Sequence, residues 1–209
     1  MPGEPKNDII KVPSRYWDDL KKMDMKRVCE RSLAISHDSG GLGILFLNQD
    51  ILLDIEDRCL RRIYPDRSEK IDNPLLELVV LVYLLNVTPD LISREMISVS
   101  DLKDAHFFQG PHTLKTGSVL KRFGRDVGGF KKAAKSLNGE FLDLADASYK
   151  FSPLPKIPLY YLFWEGDLEF EPNLSILFDR SIERHLSADA IWGLVNLVSN
   201  ALLTAGEPG

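Results

Sequence analysis

Residues 73–85 constrain the fold of this chain more than any other part of the sequence. Asn73 followed by Pro74 is typical of a helix start, because asparagine caps free amides and proline gives up an amide that has no partner. The residues that follow are apolar except for Glu77. A helix that is apolar on nearly every side has to be surrounded by the rest of the chain. It is shorter than the roughly 20 residues that span a bilayer. We therefore expect this helix in the centre of a core and expect no membrane association.

Around this helix the sequence shows both helical and extended patterns. Helices are predicted at 14–23, 24–31, 113–123 and 127–137 and after Ser187, and strands at 42–47, 51–55, 58–64, 147–151 and 157–164. The first three strands have connections too short for parallel crossovers, which favours an antiparallel meander. We predict an α+β fold in which a mostly antiparallel sheet packs against several helices. The predicted boundaries are a flexible lead-in at 1–13, a single domain at 14–203 and a disordered tail at 204–209.

Charge and cysteine content argue against several classes of protein. The chain has 209 residues and a formal net charge of −5, which argues against a dedicated nucleic-acid binder because such proteins carry a basic surface. Its two cysteines, Cys29 and Cys59, are too few for a four-cysteine zinc or iron–sulfur site. The polar start of the sequence lacks the apolar run of a signal peptide. We therefore expect a cytoplasmic protein with free thiols.

The most unusual motif is the acidic alternation at residues 164–171. If this segment stays extended, its carboxylates share one face of a strand, an arrangement of oxygen ligands that suits magnesium or calcium. These carboxylates belong to Glu165, Asp167, Glu169 and Glu171, while Trp164, Leu168 and Phe170 would face the core. Gly166-Asp167 is also a common turn pair, and a turn would scatter the carboxylates. A solvated acidic edge, a partner-binding face and a metal or catalytic site remain open as interpretations.

A basic segment precedes the acidic one. Residues 115–135 contain seven lysines and arginines against one acidic residue, Asp126. Gly128 and Gly129 stand at a predicted helix start beside Arg125, where free amides point toward an anion such as phosphate. The sequence has no nucleotide-binding glycine motif in the right context. A phosphate site at these residues and a simple solvated basic face both remain open.

Two histidines, His106 and His112, flank a predicted turn that contains Phe107 and Phe108. Histidines that meet around such a turn can ligate a metal or the iron of a tetrapyrrole, with the phenylalanines packed on its ring. Their spacing matches no standard metal motif, so ordinary surface histidines are the alternative. Asp179 is a further candidate, since it would join the acidic residues at 165–169 in a metal-dependent active site. No serine-hydrolase motif is present.

The C-terminal part of the chain carries a family resemblance. The residues that carry it are 151–159, the Trp-Glu-Gly-Asp segment at 164–171, Leu177-Phe178-Asp179, and 182–186 with Asp189, supported by the apolar helix at 75–85, Gly124, Phe130 and Ala133-Ala134. Over roughly residues 14–203 the sequence resembles the prokaryotic domain-of-unknown-function family 3786. The resemblance agrees with the single domain expected from the pattern of helices and strands.

This resemblance implies a metabolic setting more than a chemistry. Relatives in anaerobic bacteria and archaea sometimes carry a separate four-cysteine iron–sulfur module, which implies redox or one-carbon metabolism. This chain lacks that module, so an iron–sulfur role would have to come from a partner. We therefore expect a non-catalytic binding or accessory module for a metalloprotein or cofactor partner, with no cofactor identified. The alternative is a metal- or cofactor-dependent enzyme that uses Glu165, Asp167 and Glu169.

Overall fold

The helices lie close to where the sequence predicts them. The structure is a computed structural model that describes residues 11–37 and 40–206. Its α-helices are α1 (Arg15–Lys21), α2 (Met25–Ser32), α3 (Pro74–Asn86), α4 (Thr116–Phe123), α5 (Val127–Ser136) and α6 (Ala188–Ala205). Most of the predicted lead-in at 1–13, and the last three residues of the predicted tail, lie outside the described residues. The rest of that tail belongs to the end of α6 and to Gly206.

Helix α3 forms the centre of the core, as its sequence predicts. The Asn73 side chain accepts a hydrogen bond from the Leu76 amide at 3.0 Å and so caps the helix start. Helix α6 crosses α3 at Gly193, where an added Cβ would lie 2.7 Å from Leu75 Cδ1. Helix α6 is long and apolar enough to cross a membrane by length and composition. Most of its large apolar residues, however, are buried against the rest of the domain, which is the pattern of a core helix.

The first sheet is the predicted antiparallel meander with one additional strand at each edge. Its strands are β1 (Ile35–Ser36), β2 (Leu42–Phe46), β3 (Gln49–Asp54), β4 (Cys59–Ile63) and β5 (Ser68–Ile71), and they lie in this order. The two added strands, β1 and β5, are short and mostly exposed. They have no apolar alternation in the sequence, which explains why pattern analysis does not find them.

The second sheet also consists of antiparallel pairs and contains most of the C-terminal strands. Its strands are β6 (Met96–Ile97), β7 (Glu140–Leu142), β8 (Ala147–Leu154), β9 (Ile157–Trp164) and β10 (Asn173–Asp179), in the order β6-β10-β9-β8-β7. Tyr149 pairs with Tyr161 and both are buried in the core. Their neighbours Lys150 and Tyr160 also pair, and alternation places them on the opposite face. That face forms one wall of a cleft.

Candidate functional site

A cleft of about 630 Å³ opens between the second sheet and the chain segment that follows α3. Residues 88–94 of that segment, here called the anchored loop, form one wall. The opposite wall comes from the β8–β9 hairpin and includes Lys150, Lys156 and Tyr160. Leu33, at the end of α2, completes the rim. None of these four residues is among the site residues predicted from the sequence, although Lys156 lies in the stretch 151–159 that carries the family resemblance.

Asp179 holds the far end of the anchored loop. This residue ends β10 and is fully buried. Its carboxylate accepts hydrogen bonds from the Ser93 amide at 2.9 Å, the Ser93 hydroxyl at 2.8 Å and the Arg94 amide at 2.6 Å. The amide and hydroxyl of Ser181 donate to it at 2.9 and 2.6 Å. Burial opposes ionisation, but the donors of Ser181 and Ser93 outweigh it and hold the pKa of Asp179 below its usual range.

Lys156 holds the near end of the same loop. It lies in the tight turn between β8 and β9 and is almost completely buried. Its Nζ donates hydrogen bonds to the Thr88 carbonyl at 2.9 Å and to the Pro89 carbonyl at 3.1 Å. Burial lowers the pKa of Lys156, and the nearby charge of Asp90 partly opposes that change. The lysine therefore ties the hairpin turn to the start of the anchored loop.

His185 provides a third anchor from behind the loop. It is fully buried, and its Nδ1 accepts a hydrogen bond from the Thr88 amide at 3.3 Å. Its Nε2 is buried without a hydrogen-bond partner. Burial lowers the pKa of His185, and the positive charge of Lys156 lowers it further. The imidazole is consequently neutral at pH 7, and protonation would place a second buried cation beside Lys156.

The anchored loop presents hydrogen-bond donors to the cleft. Asp179 holds Arg94 by its amide, in a left-handed backbone conformation with φ 63°. Among the residues that the structure describes, the Arg94 guanidinium has no hydrogen bond or ion pair, and the Tyr160 hydroxyl has no hydrogen bond. Burial, together with the charges of Asp179 and Glu140, raises the pKa of Tyr160, so its hydroxyl remains protonated. Both groups are therefore available as donors to a ligand.

The other charges of the cleft are largely neutralised. Lys150 forms an ion pair with Glu140. The carboxylate of Asp90 lies 3.3 Å from Arg184 Nη1 and accepts the Thr88 hydroxyl at 3.1 Å. The positive charges of Arg94 and Lys156 thus have no carboxylate partner in the described structure. A cleft with this balance favours an anion, although the whole chain carries a formal charge of −5.

The acidic segment has a different construction. Strand β9 ends at Trp164, which is half-buried, and the chain then turns. The Asp167 amide donates to the Phe170 carbonyl at 2.9 Å, and the Asp167 carboxylate accepts the Glu169 and Phe170 amides, each at 2.7 Å. These bonds from the Phe170 and Glu169 amides lower the pKa of Asp167. We call residues 165–171 the acidic turn, and it confirms the turn interpretation of Gly166-Asp167.

Because the strand ends early, its alternation does not extend through the acidic turn. Leu168 and Phe170 are 105% and 69% exposed, so the prediction that they belong to the core is wrong. Glu165 points to α5, where its Oε1 accepts the Val127 amide at 3.3 Å. Glu171 is exposed. The four carboxylates therefore do not share the face of one strand.

The predicted anion site at the start of α5 lies beside the acidic turn. Arg125 lines a shallow cleft with that turn. The Gly129 amide donates to Asp126 at 2.8 Å, and a Cβ on Gly129 would lie 2.3 Å from the same carboxylate. The glycine is therefore required by the helix cap. Two of the three amides from 127 to 129 already bind carboxylates, and Gly128 lies between them.

The two predicted histidines lie in separate environments. His106 is exposed, whereas His112 stacks on Phe107 with ring centroids 4.3 Å apart and meets Trp192 edge-on at 5.6 Å. Within residues 11–37 and 40–206, the one group with metal-ligand geometry is formed by Asp54, Asp57 and Cys59. It contains none of the predicted site residues, and Arg61 binds both of its carboxylates, at 3.3 and 2.7 Å.

Comparison with known proteins identifies a family but no chemistry. A family model described as a domain of unknown function (DUF3786) matches residues 24–201. The matched range includes both sheets, α3, the anchored loop and the acidic turn. No curated protein and no solved structure matches the chain.

Proposed function

Because the chain belongs to the family of the domain of unknown function DUF3786, whose description names no chemistry, we propose a function from the site alone. The protein is a non-catalytic binding module that holds an anionic ligand in the cleft beside the anchored loop. The Arg94 guanidinium and the Tyr160 hydroxyl, which line this cleft without a protein partner, carry the proposal. Donors left without partners in a cleft are the groups that recognise a charged acceptor.

The construction of the loop supports the same proposal. Asp179, His185 and Lys156 come from three different elements and all bind residues 88–94. Burying three ionisable side chains costs free energy, and such groups concentrate at functional sites. Their combined effect is to fix the backbone of the anchored loop, that of Arg94 included, before a ligand arrives, which reduces the ordering cost of binding.

A comparison of benzoate with benzamide tests this proposal directly. The two molecules have nearly the same shape, but only benzoate is an anion. We expect benzoate to raise the melting temperature of the protein at pH 7, because a ligand that binds only the folded state stabilises it, and we expect benzamide to have no effect. Differential scanning fluorimetry over a concentration series measures both.

Two arginine variants locate the binding. Arg94→Gln should abolish the benzoate response, whereas Arg125→Gln should leave it intact, since Arg125 lines the other cleft. Both side chains are exposed, so neither change should unfold the protein. Equal responses to benzoate and benzamide, or an unchanged response in Arg94→Gln, would contradict the proposal.

We also propose that a protein partner docks at the acidic turn and that this partner is a metalloprotein or carries a cofactor. Two exposed apolar side chains, Leu168 and Phe170, support a docking role because they project beside the carboxylates of Glu169 and Glu171. The cytoplasm is the proposed location, supported by the free thiols of both cysteines.

A metal-dependent enzyme that uses Glu165, Asp167 and Glu169 is the alternative proposal. The contacts of these residues favour it less. Glu165 binds a helix amide and Asp167 closes its own turn. The group with metal-ligand geometry in the described part of the chain lies elsewhere.

A further inference from the structure

The apolar part of the cleft indicates what kind of anion it binds. Three large apolar side chains converge on its rim from two separate parts of the chain: Leu33 from the end of α2, and Leu91 and Ile92 from the anchored loop. Leu33 is 58% exposed and Leu91 is 86% exposed. Single exposed leucines are ordinary, but apolar residues that line one cleft together indicate a ligand that covers them.

The backbone of Leu33 gives independent support. Leu33 ends α2 in a left-handed conformation with φ 61°, a position where glycine is the usual residue. A leucine there is strained, and more than half of its surface is exposed. Arg94, which lines the same cleft, has a similar left-handed conformation with φ 63°. Leu47, Arg58 and Asn138 hold the same conformation away from the cleft, so these two residues point to a functional site only in combination with the cleft that they line.

We propose that the cleft binds an amphiphilic anion, a small molecule with one carboxylate or phosphate and an apolar chain. This inference rests on the proposed function, and it adds the chemical class of the ligand. The anionic group binds Arg94 and Tyr160. The apolar chain lies against Leu33, Leu91 and Ile92. A cleft of about 630 Å³ has room for both parts.

A series of straight-chain carboxylates tests the apolar half separately from the anionic half. Butanoate, hexanoate, octanoate and decanoate are titrated by calorimetry below their micelle concentrations. Full burial of one methylene strengthens binding about fourfold, so a cleft open on one side should give roughly twofold for each methylene. If affinity does not change with chain length while benzoate still binds, the proposal of an amphiphilic ligand is wrong and the proposal of an anion site is retained. Failure of every anion, benzoate included, overturns both.

Leu33→Gly is the variant that tests the rim. Glycine adopts φ 61° without strain, so the variant should fold and should be at least as stable as the parent protein. We expect its affinity for octanoate to fall roughly fivefold, because half of a leucine contact is lost. Its affinity for butanoate should change little. Leu144→Gly is the control, since Leu144 is similarly exposed but does not line the cleft.

Vesicles distinguish a free ligand from a membrane surface. Phosphatidylglycerol vesicles carry the same anionic and apolar groups as the proposed ligand. Binding to monomeric octanoate, with loss in Arg94→Gln, supports the proposal. Binding to vesicles without binding to monomeric octanoate overturns it in favour of a lipid surface.

Discussion

The cleft beside the anchored loop and the shallow cleft beside the acidic turn resemble each other at first sight. Each is lined by one arginine that has no ion pair in the described structure, Arg94 in the first and Arg125 in the second. They differ in what holds their loops. The anchored loop is held from outside by the buried side chains of Asp179, His185 and Lys156. The acidic turn is tied to neighbouring segments at its start, through Glu165 and Gly166, but its tip is closed by its own residue Asp167, which is exposed.

This difference distinguishes a turn that can form on the surface of any protein from a loop whose position is fixed by buried side chains of other elements. An aspartate that binds the amides two and three residues ahead is common in turns and needs no support from the core. A buried carboxylate that binds a distant segment loses its hydration, so it is retained only with several donors. Motifs rich in charge are easy to see in a sequence, but here the buried charges mark the better candidate site.

The first and largest test removes the buried carboxylate. Asp179→Asn keeps the shape of the side chain but replaces one oxygen with an NH₂ group, which then faces backbone and hydroxyl donors. We expect the free energy of unfolding to fall by about 3 kcal/mol, the range for a buried charge that loses its hydrogen bonds. Urea denaturation measures the change, and benzoate binding should weaken because Arg94 is no longer held.

Asp167→Asn is the matched control in the acidic turn. The same substitution is made in an exposed aspartate whose remaining oxygen can still accept the Glu169 and Phe170 amides. We expect a loss of stability much smaller than that of Asp179→Asn, because only the charge of an exposed carboxylate is removed, and no effect on benzoate binding. Equal losses in the two variants would remove the distinction between the two loops.

The second test uses the low pKa of His185. The neutral imidazole is the folded form, so the unfolded chain takes up a proton first as pH falls through the ordinary histidine pKa of about 6.5. Stability should therefore decrease below pH 6.5, by about 1 kcal/mol for each pH unit, until the folded protein also protonates. The depressed pKa of Asp179 acts only at lower pH, near the ordinary aspartate range and below. Denaturation at pH 7.5, 6.5 and 5.5 isolates the histidine.

Two histidine variants test whether His185 causes this dependence of stability on pH. His185→Asn keeps an acceptor for the Thr88 amide and cannot take up a proton, so its stability should change less between pH 7.5 and 5.5 than that of the parent protein. His106→Asn removes an exposed imidazole and should keep the parent profile. A steep profile that persists in His185→Asn would assign the dependence to another group.

More of the fold than of the candidate site could be predicted from the sequence. The cap at Asn73 and the apolar run after it predicted α3 and its burial, because these signals are local. The register of the second sheet, in contrast, depends on residues that are far apart in the sequence. It pairs Asp179 with Met96 and brings residues 88–94 against the β8–β9 hairpin. Asp179 was a candidate because it is acidic, but its partners are the nearby Ser181 and the donors of Ser93 and Arg94, which lie about 85 residues away along the chain.

At the acidic turn, the sequence pattern indicated a more regular structure than the chain forms. The predicted strand ends at residue 164, but the alternation beyond it would place four carboxylates on one face if the chain stayed extended, and Leu168 and Phe170 were assigned to the core on that basis. The turn closed by Asp167 ends the extended backbone. Alternate residues then no longer face opposite sides, because period-two patterning holds only while the backbone stays extended. Lys156 and His185 lie in stretches that carry the family resemblance, and Arg94 lies in none, but no sequence pattern marks any of the three as a site residue. Their signal is burial and hydrogen bonding across distant segments, which appears only in three dimensions.

The last test should change stability least and concerns the exposed tip of the acidic turn. Leu168→Ser/Phe170→Ser removes two apolar side chains that contribute nothing to the core, so urea denaturation should give the parent curve. If a partner docks there, an affinity-tagged variant should recover far less metalloprotein from an anaerobic lysate than the parent does, with elemental analysis of the captured fraction as the measure. Leu144→Ser, in another exposed bend, should recover the parent amount. The same metalloprotein at the same yield with the tip variant would leave the acidic turn as a surface turn, and the cleft as the one proposed site.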